Sequence, residues 1–345
     1  MRINLKNLRY YSRYPWFCQS RLVTICGNTY AGIQRYRFIR NEKFLNSTSS
    51  SVSPVQFAAI SAEEFARKIA GDPHEAAQWI AAAAEYGLAE AQALLGQILL
   101  DGRGIASDAA KARTWFEKAA LQGHLMGMNM LGRCHELGWG GAVDLQEAAR
   151  WFHRAADKGL DCAMYNYANL LLHGNGVRKN ERLALDWYRQ SAARGYAKAL
   201  GVLGRFYEEG WTVEPDRDKA IDYYRQSAEG GDFRGQYNYA LIFAEQADMV
   251  QASFWMHKAL DGAHLAFSRS MARNLQAMPH AEFQTIALEA FAKCCASDEA
   301  EDFYAYGMAL LAAPQEEQRQ LAGEWLQRAA KRGHAGAAEF LRMPS

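Results

Sequence analysis

Proline is scarce in this chain, with seven residues in 345. So few argue against long proline-rich linkers, and with 50% of the residues hydrophobic the chain can bury a large core. No apolar run near the amino terminus approaches the ~18 residues of a membrane span or forms a signal-peptide core, so no membrane partner is expected. The six cysteines lack metal or disulfide spacing: Cys18 and Cys26 lie early, Cys294 and Cys295 are adjacent, and Cys134 and Cys162 stand alone. Free thiols in a reducing compartment fit that pattern, and a Cys134–Cys162 bridge stays open. Acid is nearly missing from residues 1–50, where Glu42 faces nine Lys and Arg; that segment carries +8 and the remainder −7.

Motifs for chemistry are missing too. The Gly-x-Gly loops lack the lysine and Ser/Thr of a phosphate-binding loop and read as turns. His74-Glu75 and His135-Glu136 are not followed by a second histidine four residues on, which excludes the zinc-protease helix. His124, His264 and His334 follow helix stops and read as capping or exposed imidazoles. No catalytic residue, metal ligand set or cofactor site emerges.

What the chain does have is a ruler. Trp115, Trp151 and Trp187 lie 36 residues apart, and the same step reaches back to Trp79 and forward to Tyr223. It then shortens to 32 at Trp255, returns to 36 at Phe291 and ends with 34 at Trp325. Small residues follow four and five places after most of these anchors (Ala119-Ala120, Ala155-Ala156), and a glycine follows at eight (Gly123, Gly159). This is a helix with a thin edge and a left-handed stop. A second helix comes next, with a small residue 17 places after the anchor at Gly96, Gly132, Ala168, Gly204 and Ala240. Loops such as Gly102-Arg103-Gly104-Ile105 and Gly174-Asn175-Gly176-Val177 lead into the next anchor helix. Repeats of this size bury their apolar faces only against neighbours. The aromatic anchors read as packing between repeats, so truncating Trp151 is expected to cost ~3–5 kcal/mol.

Leu-Gly, then Gly-x-Gly-Val/Ile, then Ala-x-x-Trp-Phe/Tyr-x-x-Ala-Ala-x-x-Gly resembles the Sel1-like repeat, a relative of the tetratricopeptide repeat. The resemblance runs from about Glu75 to the end of the chain. It implies an all-α fold, a right-handed α-solenoid of antiparallel helix pairs, and a protein-interaction role. Some members of the family carry a disulfide in every repeat, and this chain departs from that. Residues 1–55 read as a basic extension and 56–345 as the repeat array, with degenerate repeats at about 260–315. Ser61-Ala62-Glu63-Glu64 has the form of a capping box, which puts the start of the folded part near Ser61. The extension, with Arg9-Tyr10-Tyr11 and a serine cluster at 47–53, reads as disordered, as translation from a start upstream of the real one, as a transit or export segment, or as a nucleic-acid arm. A nucleic-acid partner is the least favoured. A cytoplasmic location is expected, with an organellar or exported one as the alternative.

The candidate binding face lies on the second helices. Positions 11, 14, 18 and 21 or 22 after each anchor share one helical face, and the tetratricopeptide resemblance implies that this face lines a concave groove. It holds Asn129, Arg133 and Glu136; then Tyr165, Asn169 and His173; then Lys198, Arg205 and Glu208; then Arg234 and Tyr237. Such a column can hydrogen-bond an extended peptide or its carboxylate, with Arg133 and Arg205 as anion partners. An ordinary solvated face has the same composition. The function expected is a non-enzymatic scaffold or adaptor for a protein or peptide. The alternative is a hydrolase-type enzyme or enzyme subunit that recruits His173 or Glu136 as acid or base.

Overall fold

The computed structural model describes residues 52–343, and among them every regular element is a helix. The chain divides into two compact bodies, one ending at Trp187 and the other starting at Tyr188. The N-terminal body holds α1 (Pro54–Ala59), α2 (Ala62–Ile69) and three helix pairs. The pairs are α3 (Pro73–Glu85) with α4 (Ala89–Asp101), α5 (Ala109–Leu121) with α6 (Leu125–Leu137), and α7 (Leu145–Asp157) with α8 (Asp161–His173). The division between the bodies falls within α9 (Glu181–Ala193). The C-terminal body continues with α10 (Ala197–Glu209), α11 (Arg217–Glu229), α12 (Phe233–Glu245), α13 (Met249–Gly262) and α14 (Leu265–Gln276). It ends with α15 (Ala281–Cys294), a short 3₁₀ turn (Cys295–Ser297), α16 (Ala300–Leu311), α17 (Glu316–Lys331) and α18 (Ala335–Phe340). The all-α fold of paired helices read from the sequence is the one observed.

Six of the eight anchor helices start on a short acid or amide seven residues before the aromatic; those of Phe291 and Trp325 start instead on His280 and Gln315, whose side chains do not cap. The side chains of Asp72, Asp108, Asp144, Asp216 and Asp248 accept first-turn N–H groups, and Asn180 accepts from Leu183 at 3.0 Å. The amides of Asp108, Asp144, Asn180 and Asp216 donate back to Leu99, His135, Leu171 and Tyr207 at 2.8–2.9 Å, which closes each connecting loop on the preceding helix. The stops also hold: Gly123, at φ +87°, takes the left-handed conformation expected eight residues after Trp115.

The start of the chain differs from a simple box at Ser61. Ser61 accepts the Glu64 N–H at 3.2 Å, but the reciprocal box forms earlier, where Ser53 N–H donates to Gln56 Oε1 at 2.7 Å and Gln56 N–H donates to Ser53 Oγ at 3.2 Å. Val52 and Phe57 are buried there, and the Phe57 ring meets Phe65 at 5.3 Å edge-on. The expected boundary between 55 and 56 thus falls inside α1; the rest of the extension, Cys18 and Cys26 included, lies outside the described residues.

The core is centred one residue away from the aromatic ruler. Trp79, Trp151, Trp187, Tyr223, Trp255 and Trp325 are only half-buried, whereas the residues after them, Ile80, Phe152, Tyr188, Tyr224, Met256 and Leu326, are at most 2% exposed. Trp115 and Phe291 are the buried exceptions. Three of the half-buried indoles carry a cation: Arg154 lies 4.6 Å over Trp151, Lys258 4.9 Å over Trp255 and Arg328 4.7 Å over Trp325. The small residue on the second helix has its reason here. A Cβ on Gly132 would lie 2.6 Å from the Phe152 ring, so glycine is what lets the next repeat approach.

Two departures from the pattern are local. The connection from α12 to α13 is only residues 246–248, against 210–216 between α10 and α11, so the missing four residues do come from the loop. In the loop after α10, Thr212 stands where Gly104, Gly140 and Gly176 stand in other repeats, and it keeps the left-handed conformation at φ +57°. That conformation costs a β-branched residue ~1–2 kcal/mol, against the entropic penalty of glycine. Thr212→Gly is therefore expected to stabilise the chain by ~1 kcal/mol, read as a rise in denaturation midpoint at unchanged slope.

Candidate functional site

In the N-terminal body the candidate residues are largely occupied with one another. Asn129 is buried, its Oδ1 accepts the Asn166 side-chain N–H at 2.9 Å, and its own amide leans on Met126 Sδ at 3.8 Å. It links α6 to α8, and Asn166, absent from the sequence-derived face, is its partner. Their separation of 37 residues, one ruler step plus one, is the signal that could have found the pair. Arg133 Nη1 donates to Glu136 Oε2 at 2.8 Å, and its guanidinium lies 5.7 Å over the Trp139 ring. Tyr165 and Asn169 are half-buried on α8, and His173 is exposed at its last turn. Glu136 and His173 sit on different helices, and the Glu136 carboxylate is already held by Arg133.

Behind this face, the neighbouring groups are fixed for packing. His135 is buried, and burial followed by the nearby Arg113 charge holds its imidazole below the ordinary histidine range. Cys134 is fully buried and its thiol is pushed up to about 11 by that burial. It forms no disulfide, and neither do Cys294 and Cys295, so the Cys134–Cys162 bridge left open by the sequence is not formed. The histidines after the helix stops do cap: His124 Nδ1 accepts the Gly127 N–H at 3.0 Å and His334 Nδ1 the Ala337 N–H at 3.1 Å. Their Nε2 atoms reach carboxylates of the preceding repeat, Glu90 at 2.6 Å and Glu301 at 3.0 Å.

In the C-terminal body the same face is open. Lys198 and Arg205 are exposed on α10, seven residues apart and so on one side of the helix. Arg205 lies 4.9 Å over the ring of Trp211, itself 36% exposed. Arg234 is exposed on α12, which packs beside α10, and its guanidinium lies 4.6 Å over Phe233 and 5.8 Å over Phe267 of α14. Tyr237 meets Phe267 edge-on at 5.6 Å, and burial raises its phenol above the usual tyrosine range while a hydrogen bond with Asn274 partly opposes this. Glu208 is exposed yet accepts the Tyr224 hydroxyl at 2.6 Å, so its charge is partly turned into the body. Sequence reasoning stopped at Tyr237 and missed Arg273, exposed on α14 at the 18th position after Trp255.

Among the described residues no group of His, Cys, Asp and Glu is arranged to hold a metal ion, and no helix is long and apolar enough to cross a membrane.

A family model described as Sel1 repeat matches residues 89–124, 125–160, 163–196, 197–232 and 302–334. Residues 233–301, where the ruler shortens, fall outside those matches. Among solved structures, the chain is 27% identical to c5321, a protective antigen of uropathogenic Escherichia coli strains displaying an SLR fold, over 82% of this chain and 61% of that one, with a TM-score of 0.52. The chain thus spans under two thirds of that protein's length. It is 24% identical to a Sel1 repeat protein from Oxalobacter formigenes over 63% of this chain and 93% of that one, with a TM-score of 0.54. No curated protein matches the sequence.

Proposed function

On the premise that the chain belongs to the Sel1 repeat family, we propose that it is a scaffold or adaptor that holds a peptide or partner protein on the exposed face of its second helices. Sel1 repeat proteins are generally protein-interaction scaffolds, and the fold is typically non-catalytic. One observation carries the placement of the partner. On the face opposite the buried side of α10 and α12, Lys198, Arg205 and Arg234 are exposed, and none is ion-paired with a carboxylate among the described residues. Exposed, unneutralised arginines above aromatic rings are groups that a partner's acceptors can engage without first breaking an internal salt bridge. Arg133, held by Glu136, is the weaker candidate. We read residues 1–55 as an extension to this scaffold, and the unbridged Cys134, Cys294 and Cys295 support a cytoplasmic location.

The test separates binding from folding. Crosslinking in cells is expected to attach one stoichiometric protein partner, and Arg205→Ala/Arg234→Ala is expected to weaken that partner by ~1.5–3 kcal/mol for each lost charged hydrogen bond. The melting temperature should move by no more than surface changes give, within about ±0.5 kcal/mol. Undiminished binding would send the search to the loops or the anchor helices. Turnover of a hydrolase substrate that vanished in His173→Ala would favour an enzyme instead.

A further inference from the structure

The C-terminal body carries a basic stripe on an otherwise acidic surface, and it makes the proposed face more specific. Lys198 and Arg205 on α10, Arg234 on α12 and Arg273 on α14 are all exposed, and none forms an ion pair with a carboxylate among the described residues. Arg205 and Arg234 lie over rings, which hold the guanidinium planes without neutralising them. The helices that carry them are neighbours: α10 packs beside α12, and Phe233 of α12 meets Phe267 of α14 at 4.8 Å. Several other arginines of this body are neutralised, Arg217 by Glu245, Arg225 by Asp222 and Arg269 by Asp302, whereas Arg328 lies over Trp325 outside this stripe. In the N-terminal body the equivalent arginine, Arg133, is neutralised by Glu136.

We infer that the partner segment engaged by α10, α12 and α14 is an acidic peptide, rich in Asp or Glu and bound extended across the stripe. This rests on the scaffold reading above and names the chemistry of its partner. Charge complementarity selects the class: carboxylates suit guanidinium forks, and among the described residues no ion pair occupies any of the four cations, since Asp302, close enough to feel the charge of Arg273, is bound by Arg269. Tyr237, three residues after Arg234, and Asn274, next to Arg273, supply donors and acceptors for a peptide backbone. A nucleic acid fits less well, because the rings on which bases would stack, Trp211, Phe233 and Phe267, already lie beneath Arg205 and Arg234.

The probe is a fluorescent (Glu-Gly)₆ peptide, with (Ser-Gly)₆ and a twelve-nucleotide thymidine strand as comparisons, titrated into the full chain at ~150 mM salt. Residues 1–50 carry +8 and bind acid as well, so the stripe is read from differences between variants that share this segment. Arg205→Glu/Arg234→Glu is expected to weaken (Glu-Gly)₆ about tenfold or more, and Arg133→Glu less than about twofold. A photoreactive version of the peptide should crosslink to residues 198–274. Adducts confined to residues 1–50, equal binding of (Ser-Gly)₆, tighter binding of the thymidine strand, or indifference to the double charge reversal would each overturn the acidic-peptide assignment. The scaffold reading fails separately: it falls if the cellular partner also ignores Arg205→Ala/Arg234→Ala, and it stands if that partner is lost from the variant while (Glu-Gly)₆ never bound.

Discussion

Phe152→Ala should lower stability by ~3–5 kcal/mol, whereas Trp151→Ala, one residue earlier and on the ruler itself, should cost only about 2 kcal/mol. The Phe152 ring is fully buried between repeats and lies against Gly132 of the preceding one, so its removal leaves a cavity that neither helix can close without losing the close approach. The Trp151 indole is half-buried, and Arg154 covers its outer face. Removing it exposes little that was dry. Urea unfolding of the two variants gives the order directly. A second measurement isolates the contact: Gly132→Ala alone forces a Cβ to 2.6 Å from the ring and should destabilise, but in the Phe152→Ala background that penalty should largely vanish. Equal costs of Gly132→Ala in both backgrounds would mean that the glycine is kept for some reason other than the ring.

The choice between Trp151 and Phe152 shows where the sequence stops being informative. Both are large and apolar, and neighbouring helix positions differ by only about 100° in direction, so periodicity alone leaves either one facing the core. The deciding signal was present three residues on. Arg154, Lys258 and Arg328 follow the half-buried Trp151, Trp255 and Trp325 at that spacing, and a solvated charge on the same side marks those indoles as the outer residues, although Lys118 follows the buried Trp115 in the same way. The Asp and Asn caps seven residues before six of the anchors, Asp72 to Asp248, are equally visible in the sequence as a second ruler. Helix stops and histidine caps were legible because each depends on one residue at one backbone conformation. Burial of Asn129 was not, since it depends on Asn166 from another repeat. Nor was the contrast between paired Arg133 and free Arg205, although the Arg133–Glu136 spacing of three residues favours a pair on any exposed helix.

Replacing Asp302 should produce the other large effect, in the stretch where the repeat pattern is weakest. Asp302 is 4% exposed and sits at the start of α16, where Arg269 of α14 grips it twice, Nε to Oδ1 at 2.8 Å and Nη2 to Oδ2 at 2.6 Å, and the Ser297 hydroxyl donates to Oδ2 at 2.5 Å. The two residues lie 33 apart, off the 36-residue step, so no in-register comparison points to them. Burial alone would raise the Asp302 carboxyl, but the hydrogen bonds from Arg269 and Ser297 outweigh it and hold the group below the ordinary range. Asp302→Ala should cost ~3 kcal/mol, near the low end for breaking a buried pair, because the Arg269 side chain stays 31% exposed and can rehydrate or turn to Glu299. The pH dependence has a fixed sign. A depressed folded-state pKa stabilises the fold above the unfolded value, about 3.9 for aspartate, and that contribution disappears as the pH falls through the folded value. The gap in stability between the wild type and Asp302→Asn, measured by urea unfolding, should therefore be wide at pH 7 and close progressively below about pH 4. A gap that stayed constant down to pH 2 would show that Asp302 acts through its shape and its neutral hydrogen bonds rather than through its charge.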